Sequence, residues 1–175
     1  MDIIELAKIR KMVGGSGGGG DDALKYIEAQ HAFVDLPNAT SIKPRAFISD
    51  TVITDISMPN VTSIGVHAFN GCANLALTSL PAGLTSIGES AFYNCTNLAL
   101  TSLPAGLTSI GQSAFFRCTG LTTLTFEGTP TSISTAAFSS CTNLTVINVP
   151  WAEGAVAGAP WGATNATINY NYTGE

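Results

Sequence analysis

The sequence predicts a mainly β solenoid with short helical turns: five to six coils of 22–23 residues, short parallel strands, an N-terminal helix and a C-terminal cap. Three observations carry this. Four columns of residues recur in one register, the residue that lengthens the period falls in a corner, and every repeat pairs a strand-like apolar pattern with a turn of small residues around one large ring.

The columns come first, because a repeat array changes what every residue means. Ile64, Ile87, Ile110 and Ile133 are 23 apart, as are Phe69, Phe92, Phe115 and Phe138, Cys72, Cys95, Cys118 and Cys141, and Leu75, Leu98, Leu121 and Leu144. Backwards the array continues at a step of 22: Ser41-Ile42 and Ala46-Phe47 precede Ser63-Ile64 and Ala68-Phe69, Ile53 enters the leucine column, and Pro37, Pro59 and Pro81 follow one another. The extra residue appears where Pro59-Asn60-Val61 becomes Pro81-Ala82-Gly83-Leu84, an insertion of the kind a solenoid corner tolerates. Val34-Asp35-Leu36-Pro37 reads as the end of one more, degenerate coil. One coil cannot bury its own apolar face. Stacking Ile over Ile and Phe over Phe at about 4.8 Å does so, and each such side chain contributes roughly 1.5–3 kcal/mol when buried.

Within a coil, Ile53-Thr54-Asp55-Ile56-Ser57-Met58 and Leu121-Thr122-Thr123-Leu124-Thr125-Phe126 read L-x-x-L-x-L, a short strand whose β-branched threonines suit it. Thr-Ser-Ile-Gly supplies a second extended piece. Around Ala91-Phe92 and Ala114-Phe115 there is no alternation, so a single helical or 3₁₀ turn is expected on the opposite wall. Leu75 to Leu80 and Leu98 to Leu103 place leucine third and threonine fourth, which leaves the strand register there open to a bulge.

The string Leu84-Thr85-Ser86-Ile87-Gly88-Glu89-Ser90-Ala91-Phe92-Tyr93-Asn94-Cys95-Thr96-Asn97-Leu98 closely resembles the BspA-type class of leucine-rich repeats, over about Leu36 to Pro150. The resemblance implies a leucine-rich-repeat solenoid that binds other proteins or host surfaces, in surface-exposed bacterial and protozoal proteins and in phage and prophage tail modules. It implies no catalytic residues.

The division expected is an N-terminal helix over 1–13, a Gly-rich linker over 14–22, the solenoid over 23–150 and a cap over 151–175. Met1 to Val13 puts Ile3, Leu6 and Ile9 near helical spacing, with charges between them. Alone it is too short to be stable, so it either anchors on a partner, self-associates into a homo-oligomer, or is a disordered start. The glycine run lacks the strand and the Lys-Ser/Thr of a phosphate loop and reads as a flexible tether. Both ends, the second from Val149 through Asn165, resemble the ends of repeat proteins in tail modules of phages and prophages of gut bacteria.

Only 11% of the chain is charged, and its net charge of -5 includes no basic cluster, which excludes nucleic acid as a partner. Glu5, Lys8, Arg10 and Lys11 interrupt any secretory h-region, and no segment has the roughly 18 apolar residues of a membrane span. The expected product is soluble, made in the cytosol without export, not inserted in membrane, and placed in a virion or outside the cell; a bacterial cell surface is the alternative.

No chemistry emerges. The cysteines lack C-x-x-C spacing and point the same way in successive coils, as a ladder of small reduced side chains, although neighbouring coils are close enough for a disulfide. His31 and His67 fall in different coils without triad spacing. No cofactor or metal is expected, and the chain is read as no enzyme. Trp151, Trp161, Tyr170 and Tyr172 either close the open end of the core or form an aromatic sugar platform.

Differences between near-identical coils mark the exposed surface. Glu89 stands against Gln112, Tyr93 against Phe116 and Asn94 against Arg117; with His67 they flank the phenylalanine column and form the candidate binding surface for a protein or a cell-surface glycan. The function expected is a structural or receptor-binding part of a phage or prophage tail, joined to other virion proteins through the N-terminal helix. The alternative is a bacterial adhesin or general interaction module.

Overall fold

A computed structural model of the chain describes Val13–Gly14 and residues 33–174. There the chain winds into a parallel-strand β-solenoid of about six coils. In chain order the strands are β1 (Val13–Gly14), β2 (Phe33–Asp35), β3 (Ser41–Ile42), β4 (Asp55–Ser57), β5 (Ser63–Ile64), β6 (Ser86–Ile87), β7 (Ser102–Leu103), β8 (Ser109–Ile110), β9 (Thr123–Phe126), β10 (Ser132–Ile133), β11 (Val146–Asn148) and β12 (Thr167–Asn169).

The Ser-Ile pairs build one wall. Strands β3, β5, β6, β8 and β10 stack in parallel with Ser63 on Ser86 on Ser109 and Ile64 on Ile87 on Ile110, each isoleucine turned inward and each serine half-exposed. The middle three pairs are followed by Gly65, Gly88 and Gly111, where the stacking is close: a Cβ on Gly111 would lie 2.5 Å from the Glu89 nitrogen. On the N-terminal edge β1 pairs antiparallel with Ser41 and Ile42, using the hydrogen-bonding groups that an edge strand leaves open. Val13 and Gly14, the join between the expected helix and linker, are therefore in a strand. The rest of those two segments, including Ile3, Leu6 and Ile9, and also His31, lie outside the described residues.

The interior holds the columns. The isoleucines, phenylalanines and cysteines are all buried, and the rings of Phe47, Phe69, Phe92, Phe115 and Phe138 stack within 6° of parallel, their centroids 5.1–5.4 Å apart. That separation is close to the strand spacing that sets it. Each cysteine Sγ donates to a phenylalanine carbonyl of an earlier coil, Cys95 to Phe69 and Cys118 to Phe92, both at 3.0 Å. Burial pushes the thiols up, Cys72 to about 12 and Cys141 to about 11, and it raises Cys95 and Cys118 as well. Threonine side chains clip the outside: Thr85 Oγ1 donates to Thr62 O and Thr108 Oγ1 to Thr85 O, each at 2.9 Å.

The expected helical turns are not helices. No helix occurs among the described residues, and the wall carrying the phenylalanines is a run of i→i+3 turns, such as Tyr93 N–H to Ser90 O at 3.2 Å and Cys95 N–H to Phe92 O at 3.1 Å. Ser90 at φ 51° and Asn94 at φ 58° leave the right-handed region, so no helix can propagate. Their N–H groups instead reach the next coil, Ser90 to Gln112 O and Asn94 to Phe116 O, both at 2.8 Å. None of the segments spans a membrane as a helix: among the described residues no helix is long and apolar enough.

The third wall is split. Strands β7, β9, β11 and β12 form one sheet and β2 with β4 another. Between them residues 75–81 form no strand. Residues 75–88 and 98–111 are identical in sequence, yet only the second copy yields β7, because only it stacks against a following L-x-x-L-x-L strand, β9. In both copies the leucine at the third place, Leu77 or Leu100, is buried and the threonine at the fourth, Thr78 or Thr101, is exposed, a one-residue shift from the alternation in β4 and β9.

Within the expected cap over 151–175, residues 151–169 run as one more irregular coil. Val156 and Trp161 follow Ile133 and Phe138 at the same step of 23, both are buried, and Phe138 N–H donates to Trp161 O at 2.9 Å. Ile168 then pairs with Ile147 through β12.

Candidate functional site

On the turn wall each coil contributes the same few outward positions, and the left-handed residues decide what shows. With Ser90 and Asn94 at positive φ, the backbone folds back on itself between them. Ala91 and Phe92 are driven inward while Tyr93 and Asn94 remain half-exposed. The next coil repeats this with Ser113 at φ 52° and Arg117 at φ 56°, so Phe116 comes to lie on Tyr93. Their rings stack with centroids 4.6 Å apart and planes 12° from parallel.

This pair is the centre of the site. Asn94 and Arg117, its immediate chain neighbours, run beside it in the adjoining column, Arg117 exposed. Glu89 and Gln112 occupy one exposed column four residues earlier on the same wall. His67 sits one coil away. Its Nδ1 lies 3.0 Å from Nδ2 of Asn70, which occupies the Tyr93 column in that coil, so an amide donating there leaves the proton on Nε2. Asn70 was not singled out from sequence, although the step of 23 to Tyr93 marks its column.

What the arrangement can do is recognise. Stacking covers the ring faces that look at each other and leaves aromatic edges, one guanidinium, one carboxylate and several amides toward solvent. The underlying backbone is held coil to coil by the bonds from Ser90 and Asn94, so the patch is displayed on a rigid frame. Among the described residues no group of three His, Cys, Asp or Glu side chains is placed to hold a metal. Beyond this wall, Trp151 and Trp161 are buried: their rings meet at 67°, with centroids 6.3 Å apart, and both contact Phe126. Neither offers a free face. The Trp161 indole N–H donates to Ala157 O at 2.8 Å, whereas that of Trp151 is buried without a partner. Tyr172 is exposed and Tyr170 half-buried.

Residues 37–153 match the BspA type leucine rich repeat region in six copies. Among solved structures, a leucine rich repeat protein of T. pallidum (TpLRR) is 30% identical with a TM-score of 0.64, the match covering 80% of this chain and 69% of that one. A leucine-rich repeat protein from Bacteroides ovatus is 28% identical with a TM-score of 0.51, over 66% of this chain and 39% of the other. The pneumococcal vaccine antigen PcpA, 23% identical at a TM-score of 0.56 over 69% of this chain and 30% of its own, shares the fold. No curated protein sequence matches the chain.

Proposed function

Because the chain belongs to the BspA-type leucine-rich-repeat family, we propose that it is a non-enzymatic recognition module whose turn wall, centred on Tyr93 and Phe116, contacts a protein partner. The stacked pair carries this reading. It is an aromatic cluster flanked by an exposed arginine, on a wall that also shows Glu89 and the exposed Ile48 and Val66, and aromatic and arginine side chains dominate binding energy at protein interfaces. A glycan is the weaker candidate, since a sugar stacks on ring faces and the stack closes one face of each ring.

The setting we propose is a phage or prophage tail, where the solenoid is displayed and Ile3, Leu6 and Ile9 join it to other virion proteins or to copies of itself. The resemblance of both chain ends to tail-module proteins supports this. A bacterial surface adhesin is the second reading, favoured by the origin of the matched structures in cellular bacteria, T. pallidum and Bacteroides ovatus. Mass spectrometry of purified virions and of cell envelopes separates the two: absence from virions ends the tail reading. For the wall itself, the labelled chain is titrated onto intact host cells. Replacing Tyr93 and Phe116 together by alanine should weaken binding by roughly tenfold or more with little change in melting temperature. Undiminished binding by a folded double variant would overturn the assignment.

A further inference from the structure

The split in the strand wall leaves backbone groups without ladder partners beside a cavity. Leu36 N–H donates to Ser57 O at 2.8 Å, which turns the polar groups of Ser57 toward β2. In a parallel ladder alternate residues face opposite sides, so Ile56 and Met58 present theirs to the following coil. That coil does not complete the pairing. Ala76 N–H still reaches Thr54 O at 2.8 Å, but from Ser79 to Pro81 no backbone bond joins the two coils. Ile56 N–H turns instead to the Asp55 Oδ1 at 2.8 Å.

The opening that results is a cavity of about 190 Å³ lined by Ile56, Ser57, Met58, Pro59, Ser79, Leu80 and Pro81. Five of its seven lining residues, Ile56, Met58, Pro59, Leu80 and Pro81, are apolar. Leu80 is only half-buried there, whereas Met58, Leu103 and Phe126, which hold the same column in other coils, are buried. An open ladder edge calls for a peptide backbone, and the apolar space between Met58, Leu80 and the two prolines calls for one aliphatic side chain. Together they specify one ligand chemistry.

We propose that this breach is a second recognition site, distinct from the turn wall, that takes an extended peptide segment of a protein partner. One leucine-sized side chain enters the cavity, and the peptide backbone bonds the Ile56 carbonyl, the Met58 N–H and the peptide groups of Ser79, while Met58 O stays in its turn bond from Val61 N–H at 3.1 Å. The mode is strand addition at an internal gap, in place of the outer edge of a sheet. The peptide supplies the strand that residues 79–81 fail to form.

The probe is N-acetyl-leucine methylamide, which carries one aliphatic side chain between two peptide groups, titrated into the full isotope-labelled chain by NMR. Its amide cross-peak changes should centre on Met58, Ser79 and Leu80 and saturate with a Kd on the order of millimolar, as its size allows. N-acetyl-glycine methylamide should leave those signals in place. Ser79→Phe, at an exposed position, fills the opening and should weaken the leucine probe by roughly tenfold; Ser57→Leu fills it from the other lip and decides the matter if the first variant does not fold. Shifts absent, equal for both probes, spread over the exposed Ile48 and Val66, or retained in a folded filling variant would each overturn the proposal. Because the readout is local to Ser79, failure of the turn-wall reading would leave this result untouched.

Discussion

Phe92 and Phe115 stack with ring centroids 5.4 Å apart and planes 6° from parallel, and neither has exposed surface. Each ring has a phenylalanine on both faces, so removing one opens a gap that neighbouring coils cannot close without giving up their own backbone bonds. Phe92→Ala should cost about 3–5 kcal/mol in denaturant unfolding. A variant that melts with the native chain would show that the column does not hold the coils together.

Two glycine substitutions give opposite expectations. At Gly111 a Cβ would stand 2.5 Å from one backbone atom of the preceding coil and 2.7 Å from another, so Gly111→Ala must push two coils apart. The expected loss is about 1–3 kcal/mol. At Gly83 nothing lies within 4 Å, and Gly83→Ala should stay within about 0.5 kcal/mol of the native protein. Equal melting temperatures for the pair would contradict the close stacking at Gly111.

The thiols predict an alkaline limit. Burial raises Cys72 to about 12 and Cys141 to about 11 from an ordinary 9.0, so the folded state keeps protons that the unfolded chain releases. Stability from this source is complete below about pH 9 and falls as pH rises through the folded values, by up to about 1.4 kcal/mol per unit for each thiol. Melting temperatures measured from about pH 8 to about pH 11 should decline more steeply in the native protein than in Cys72→Ala/Cys141→Ala. Parallel profiles would mean that these thiols do not drive the decline.

The two tryptophans should separate by their N–H groups. Trp161→Phe removes the bond to Ala157 O, while Trp151→Phe removes a buried donor that has no partner. Both lose similar apolar volume, so the difference in unfolding free energy should be about 1–2 kcal/mol, with Trp161→Phe the less stable. Calorimetry that ranks them the other way would refute this account of the C-terminal coil.

How much of this was legible in sequence depended on whether one residue or two coils decided it. The interior columns were readable because a side chain at a fixed step has one place to go. So was the contact between Tyr93 and Phe116, which are 23 apart. The left-handed backbone at Ser90, Asn94, Ser113 and Arg117 was not, because none is glycine and their conformation comes from bonds to the next coil. The split wall was visible only as an irregularity in Leu75 to Leu80; since Leu98 to Leu103 has the same sequence and a different outcome, no local reading could separate them. The last coil hid because valine and tryptophan replace isoleucine and phenylalanine at Val156 and Trp161. Met1 to Met12 and His31 lie outside the described residues, and the expectations placed on them stand as proposals.

Residues 75–88 and 98–111 have the same sequence one coil apart, and backbone bonds tie each to its neighbouring coils. Deleting or duplicating one 23-residue coil would shorten or lengthen the described solenoid by about 4.8 Å. Its reach is a quantity that inheritance can adjust in whole steps, through unequal recombination between adjoining copies, without redesigning either end.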